Sequence, residues 1–279
     1  MGEITAISWA DSTFNCWIGC QKVGPGCDFC YAEALNERFA DGANWGPGAP
    51  RRRTTEANWR KPLQWNGNAE KFMAQHGRRQ RVFCASMADV FDNEAPQEWR
   101  EDLWDLIDAT PNLDWLIVTK RVSNVEKMMP DRWRENWPAH VWLLITTVNQ
   151  DEVDRDAPRL LHLKRAHRIR IVGLSIEPML GPINLRSVAP DDGYGWNVLA
   201  GYIHDMGVPT ADAGRLDWII CGGESGREAR PMHPDWARGL RDQCAKAKVA
   251  FHLKQITDGG RKLPIAEWPE DLRIQEFPA

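Results

Sequence analysis

Leu113-Asp-Trp-Leu-Ile-Val-Thr119 is a near-continuous apolar run that stops abruptly at Lys120-Arg121. A strand buried on both faces reads this way, because neither face needs polar residues to meet water. Five further runs share the form: Arg81-Val-Phe-Cys-Ala-Ser86, Val141-Trp-Leu-Leu-Ile-Thr-Thr147, Arg170-Ile-Val-Gly-Leu-Ser-Ile176, Leu216-Asp-Trp-Ile-Ile-Cys221 and Val249-Ala-Phe-His-Leu253. Helical patterns lie between them. Glu94 to Ile107 places Pro96 in a first turn and Trp99, Leu103, Leu106 and Ile107 at helical spacing, and Pro234 to Cys244 reads likewise. A further strand near Ile7-Ser8-Trp9 or around Cys16 brings the count to about seven. Strand–helix alternation predicts parallel strands with right-handed crossovers. The expected fold class is therefore α/β: a partial or closed parallel (β/α) barrel of six to seven strands, or else a doubly wound sheet.

The polar residues gather where the strands end. The runs finish in Ser86-Met87-Ala88-Asp89, Thr119-Lys120-Arg121, Thr146 to Gln150, Ser175-Ile176-Glu177-Pro178, Gly222-Gly223-Glu224-Ser225-Gly226 and Lys254-Gln255. Parallel α/β folds collect their chemistry at the C-terminal strand ends, so these six groups describe one polar mouth over an apolar barrel. Any single member has a plainer reading as a helix cap or turn former, which suits Ser86 and Asp89 well. Glu177 stands out as a carboxylate between an apolar run and Pro178. Gly222-Gly223-Glu224 leaves bare backbone at a strand end, where a ligand can approach closely. Its glycine spacing is not that of a dinucleotide-binding turn.

The 279 residues carry a formal net charge of −4, with 43% hydrophobic and 27% charged residues. That composition is ordinary for a folded chain and argues against disorder. No apolar run is long enough to span a membrane. The start, MGEITAISWADST, lacks the basic and apolar regions of a secretory signal, so a cytoplasmic protein is expected. One domain covering 1–279 is expected, with residues 184–215 as an inserted loop and Pro264 to Pro278 as a tail on the same domain.

Charge is uneven. Residues 51–81 hold nine Lys/Arg against Glu56 and Glu70, a local +7 in an otherwise acidic chain. Arg51, Arg52, Arg53, Trp59, Arg60 and Lys61 interleave guanidinium and indole groups, which suits contact with phosphates and stacking on bases of a nucleic acid such as DNA. A solvated connecting segment would read the same way.

Seven Cys are present, four of them between positions 16 and 30. An odd number without a secretory signal argues against a disulfide framework. The segment Asn15-Cys-Trp-Ile-Gly-Cys20 is followed by Gly24-Pro-Gly-Cys27-Asp-Phe-Cys30-Tyr-Ala-Glu33, in which glycines and Pro25 allow a wrapping loop. Thiolates are soft ligands for zinc or iron–sulfur. A structural zinc site usually draws a second ligand pair from a distance, and the crowding of these ligands favours a cubane cluster. Thiol redox chemistry at Cys27 and Cys30 is the third reading, and it leaves Cys20 without a role.

This loop resembles the cluster loop of radical S-adenosylmethionine enzymes in a wider-spaced variant, with Phe29 as the aromatic before the last Cys. Together with Asn58-Trp-Arg-Lys-Pro-Leu-Gln-Trp-Asn66, Ser86-Met-Ala-Asp-Val-Phe91, Thr119-Lys-Arg121, Ser175-Ile-Glu-Pro-Met-Leu-Gly-Pro182, Gly222-Gly-Glu-Ser-Gly226 and Ala229-Arg-Pro-Met-His-Pro234, it is similar over residues 9–278 to a phage-associated radical-SAM-type family, the phage Gp-thirty-seven/Gp-sixty-eight family. The resemblance implies a barrel with a 4Fe-4S cluster on Cys20, Cys27 and Cys30, and S-adenosylmethionine on the open iron. It implies that Gly222, Gly223 and Glu224 hold the methionine amino group and that Glu177 holds the ribose, with Ser175 and Ser86 beside the cofactor. Lys120, Arg121 and Lys254 become substrate or carboxylate anchors, and Cys84 or Cys221 a hydrogen donor unless they are simply buried thiols. His233 and His252 are read as structural. The implied activity is modification or repair of a nucleobase through a 5′-deoxyadenosyl radical, with a flavodoxin or ferredoxin as electron donor. The sequence departs from the family pattern at Cys16, where Pro is expected, and at Ile256, where Trp is expected. Cys16 as a fourth ligand would instead give a nucleic-acid-binding protein with a structural cluster. A radical enzyme acting on a peptide or small metabolite is the other alternative.

Overall fold

The seven strands of the main sheet follow one another in space as they do along the chain. They are β1 (Ser12–Phe14), β2 (Gln80–Cys84), β3 (Leu113–Thr119), β4 (Val141–Thr146), β5 (Val172–Ile176), β6 (Trp218–Gly222) and β7 (Ala250–Gln255). Each pairs in parallel with the next. Sequential order is the order of a (β/α) barrel and rules out a doubly wound sheet, whose order reverses at a switch point. This computed structural model describes residues 5–190, 195–205, 208–212, 214–226, 228–258 and 260–279.

The sheet curls. Trp9, just ahead of β1, packs on Phe83 of β2 at 4.5 Å between ring centroids and on Trp218 of β6 at 6.5 Å. Ser8 Oγ lies 2.8 Å from His252 Nε2 on β7 and so spans the seam between the first and last strands. No ladder joins β1 to β7 among the described residues, so the architecture is a partial barrel. The tail runs antiparallel along the outer edge of β7, with Leu253 N donating to Ile274 O and Glu276 N to Phe251 O, both at 2.9 Å. An edge strand covered in this way offers no free ladder to another chain.

Period-two alternation divides the strand residues between two cores. Phe83, Leu116, Trp142, Leu144, Trp218 and Ile220 point inward and fill the lower half of the barrel. Trp115, Ile117, Leu143, Ile145, Leu174 and Ile219 point outward against the helices. Trp218 touches Trp142, His252 and Phe277 as well as Trp9. Truncating such a fully buried indole costs about 3–5 kcal/mol.

The helices are α1 (Tyr31–Ala40), α2 (Glu56–Trp59), α3 (Lys61–Gly67), α4 (Ala69–His76), α5 (Gln97–Asp108), α6 (Val122–Met128), α7 (Gln150–His167) and α8 (Pro234–Ala247). Asn149 caps α7 by accepting from Glu152 N, and His233 caps α8 by accepting from Asp235 N. Residues 146–150 thus divide between a strand end and a cap, and His233 sits at a helix start.

Four expectations need adjustment. The first strand is Ser12–Phe14, between the two stretches anticipated for it, because Ser12, Thr13 and Phe14 are the residues in register with Val82, Phe83 and Cys84. The basic segment is no plain connector. It forms a short ribbon (Arg52–Arg53 against Trp17–Ile18), then α2, α3 and α4. Pro96 is the residue preceding α5 rather than part of its first turn. The inserted region 184–215 carries a three-stranded antiparallel sheet of Gly195–Asn197, Tyr202–Asp205 and Val208–Asp212, while 191–194, 206–207 and 213 lie outside the described residues. No described helix is long and apolar enough to cross a membrane.

Candidate functional site

Inward-facing residues at the upper ends of the strands enclose a cavity of about 560 Å³, a size that suits a small organic ligand. Phe83 and Val118 form part of its floor, and Thr146, Ser175, Glu177 and Lys254 line it above. Ser86, Asp89, Thr119, Lys120, Arg121, Ser225 and Gln255 complete the polar rim, so all six strand ends singled out in the sequence contribute. Cys20, Cys27 and Cys30 lie on the wall of the same cavity.

The cysteine loop is built for this position. Gly19 has φ +122°, and a Cβ there would sit 2.4 Å from Asn44 O, so only glycine lets the chain turn into Cys20. Pro25–Cys27 forms a 3₁₀ turn. Cys30 is the residue immediately before the ten-residue helix α1.

Arg121 braces the first thiol. It is buried, and Nη1 lies 3.6 Å from Cys20 Sγ while Nη2 donates to Gln21 O at 3.1 Å. The Asp89 carboxylate accepts from Arg121 Nη1 at 3.1 Å and from the Thr119 hydroxyl at 2.8 Å. Burial opposes the charge on Arg121, and Asp89, Cys20 and Asp92 more than offset it, so its pKa is raised. Burial pushes the Cys20 thiol up to about 11, Asp89 adds to the rise and Arg121 opposes it. Tyr31, missed in the sequence, also lines the cavity and donates its hydroxyl to Ser86 O at 2.7 Å. Burial, with the neighbouring Cys30 and Glu177, raises its pKa.

On the opposite wall, Glu177 Oε1 pairs with Lys254 Nζ at 3.0 Å and Oε2 accepts from Ser175 Oγ at 3.1 Å. A Cβ on Gly222 would come within 2.9 Å of Glu177 Oε1, so this glycine keeps room for the pair. Ser86 Oγ is tied to the Asn15 amide at 3.0 Å.

Other expected site residues lie elsewhere. Gly222, Gly223 and Glu224 are off the cavity wall. The Glu224 carboxylate is buried and already accepts three hydrogen bonds from Arg230: from Nη2 at 2.6 Å, and from Nε and the backbone N at 2.9 Å each. A methionine amino group would have to displace them. Cys221 is fully buried, with Sγ 3.4 Å from Met179 Sδ, and burial raises its pKa well above the ordinary thiol value. It faces the outer core and not the cavity. Cys16 is also fully buried, hydrogen-bonded to the equally buried Cys84, and absent from the cavity wall.

The basic segment is largely engaged within the fold. Arg51 is buried on Asp92 at 2.7 Å. Arg53 pairs with Asp102 and stacks on Trp59 at 4.0 Å, Arg78 pairs with Asp11, and Arg79 with Asp114. Trp59 and Trp65 are core residues at 7% and 6% exposure, so their faces are not open to bases. Arg52 and Arg60 remain exposed, and Lys61 is half-buried. The sequence could not separate these groups, because the acidic partners of Arg51, Arg53, Arg78 and Arg79 lie between 35 and 67 residues away along the chain.

Among the described residues, no three His, Cys, Asp or Glu side chains converge as a single-ion site. A 4Fe-4S cluster distributes its ligands over several iron atoms, so it asks for soft donors around one shared space. Three thiols on one cavity wall, with the fourth thiol of the segment turned into the core, fit that requirement.

Two solved structures are similar in outline. One is a cysteine mutant of spore photoproduct lyase, 12% identical with a TM-score of 0.46, covering 89% of this chain and 77% of that one. The other is a double mutant of spore photoproduct lyase with bound AdoMet and dinucleoside spore photoproduct, 11% identical with a TM-score of 0.41. The alignment covers 89% of this chain, which spans only 58% of that structure's length. No curated protein matches. Residues 4–263 match the family described as "Protein of unknown function (DUF5131)", and the chain belongs to that family.

Proposed function

We propose that this protein is a radical S-adenosylmethionine enzyme whose substrate is a nucleobase within nucleic acid, most readily DNA. The observation that carries the proposal is the sharing of one cavity by Cys20, Cys27 and Cys30 and by the polar ends of the strands. When bound, a 4Fe-4S cluster with S-adenosylmethionine supplies a 5′-deoxyadenosyl radical by one-electron reduction of the sulfonium.

The chain's own residues have separable tasks. Cys20, Cys27 and Cys30 hold the cluster and Arg121 keeps Cys20 in place. Glu177 offers carboxylate oxygens to ribose hydroxyls, with Ser175 and Lys254 fixing its orientation. Phe83 and Val118 keep water from the cavity floor, which protects a reactive species from quenching. Lys120 and Lys262 face the cavity without a carboxylate at ion-pair distance among the described residues, and they are suited to a substrate phosphate. A base in a duplex would have to be extruded or presented on a single strand to enter. A flavodoxin or ferredoxin would supply the electron.

Burial of Trp59 and Trp65 and the pairing of Arg51, Arg53, Arg78 and Arg79 favour a second reading, a radical enzyme acting on a peptide or small metabolite. Anaerobic reconstitution with iron and sulfide, followed by reduction in the presence of S-adenosylmethionine, tests the enzymatic proposal. The expected product is 5′-deoxyadenosine. A fully loaded protein that never cleaves S-adenosylmethionine would overturn it. Faster cleavage on addition of single-stranded DNA, absent with peptides, separates the two substrates.

A further inference from the structure

Arg230 follows β6, and the cysteine loop follows β1, on the other side of the open seam. The two are joined. Arg230 Nη1 donates to Asp28 Oδ2 at 3.0 Å and Nη2 to Pro25 O at 2.8 Å. The guanidinium also lies over the Phe29 ring, 5.1 Å from its centroid. The same side chain is fixed from behind by Glu224, through hydrogen bonds of 2.6 and 2.9 Å from its side-chain nitrogens. Glu224 is itself locked, since its carbonyl oxygen accepts from the Thr257 hydroxyl at 2.6 Å and its side chain is only 4% exposed. Asp28 and Phe29 are the two residues between Cys27 and Cys30.

We propose that Arg230 is a positioning residue for the cysteine loop: with Glu224 it forms a strut that sets the separation and orientation of Cys27 and Cys30 before any cluster is inserted. The inference rests on the reading of these thiols as cluster ligands. It gives Gly222-Gly223-Glu224 a different task from the cofactor contact expected of it. The glycines leave room for Glu177 and for Thr257, each of which an added Cβ would approach to 2.9 Å, and Glu224 anchors the arginine. A planar guanidinium suits the work, because it can bind a carboxylate on one edge, a carbonyl and a second carboxylate on the other, and a ring on its face. Partners that orient metal ligands without touching the metal typically change metal affinity ~10–100-fold when removed.

The test uses the full chain with Arg230→Gln, Arg230→Lys and the double variant Glu224→Gln/Arg230→Gln. The double variant removes the carboxylate that a single substitution would leave buried without its partner. Hydrogen exchange of the amides in 20–31 is read without iron, and iron content and cluster half-life against a chelator are read after anaerobic reconstitution. The double variant is expected to unfold at the wild-type temperature within a few degrees. Its loop amides should exchange faster, and its cluster should be lost ~10–100-fold sooner. Arg230→Lys should fall between, having the charge but not the fork. Wild-type exchange and wild-type cluster lifetime in the double variant would overturn the strut while leaving the cluster reading intact. Wild-type protein that takes up no iron would overturn the cluster reading, and with it the purpose given to the strut, even where exchange protection differs.

Discussion

Arg121 Nη1 lies 3.6 Å from Cys20 Sγ while the same nitrogen donates to Asp89 Oδ2 at 3.1 Å. A thiol and a carboxylate therefore compete for one buried cation. Arg121→Ala would leave Asp89, 5% exposed, without its counter-charge. A loss of ~3–5 kcal/mol in unfolding free energy is expected, as for other broken buried pairs. Urea denaturation measures it, and an unchanged midpoint would mean that Asp89 has found another partner.

The four clustered cysteines should divide sharply. Cys20→Ala, Cys27→Ala and Cys30→Ala should each abolish stable iron uptake. Cys16→Ala should keep wild-type iron and sulfide content and lose only ~1 kcal/mol of stability for the small buried group removed. Loss of iron in Cys16→Ala would make it a ligand and close the open coordination position.

Within the basic segment, stability and nucleic-acid contact should be separable. Arg51→Ala breaks a pair with both side chains fully buried and should cost ~3–5 kcal/mol. A double change of Arg52 and Arg60 to Ala touches exposed groups, and stability should move by less than ~1 kcal/mol. Under the nucleic-acid proposal, the same double variant should lower the salt slope of binding to single-stranded DNA by about 1.4, from ~0.7 per phosphate contact. A slope identical to wild type would remove these residues from the interface.

Acid should weaken the fold through His252. Its pKa is driven down to about 4, chiefly by burial, with Arg81 and Lys254 adding to the effect and the backbone at Glu276 opposing it. Between pH ~6.5 and ~4 the unfolded chain binds a proton here that the native chain does not, so stability falls as pH falls through that window. Above it this group contributes no slope. The difference amounts to about 3 kcal/mol at the acid end. Chemical denaturation across pH should show this limb in wild type and a flatter one in His252→Gln.

Much of the barrel was legible because strands covered on both faces must be apolar throughout, as Leu113–Thr119 and Val141–Thr146 are. β1 was harder to place, since Ser12 and Thr13 give three residues no such signature. The small sheet within 184–215 was masked by Gly, Asp and Pro. The cavity could be anticipated because the strand ends are local in sequence. The brace of Arg230 on Asp28 could not, since 202 residues separate them and nothing local in either motif pairs one with the other. Trp59 and Trp65 misled for a related reason. An indole in a basic run looks the same whether it faces solvent or the core, and packing against Phe14 decides the matter for Trp59.

The long interval between Asp28 and Arg230 also bears on how the protein matures. A ribosome releases the cysteines well before it has made the arginine that steadies them. Until synthesis has passed β6, the stretch between Cys27 and Cys30 lacks the Arg230 brace on Asp28 and Pro25. Under the proposed reading of these thiols, firm metal loading is expected only after synthesis has passed Arg230.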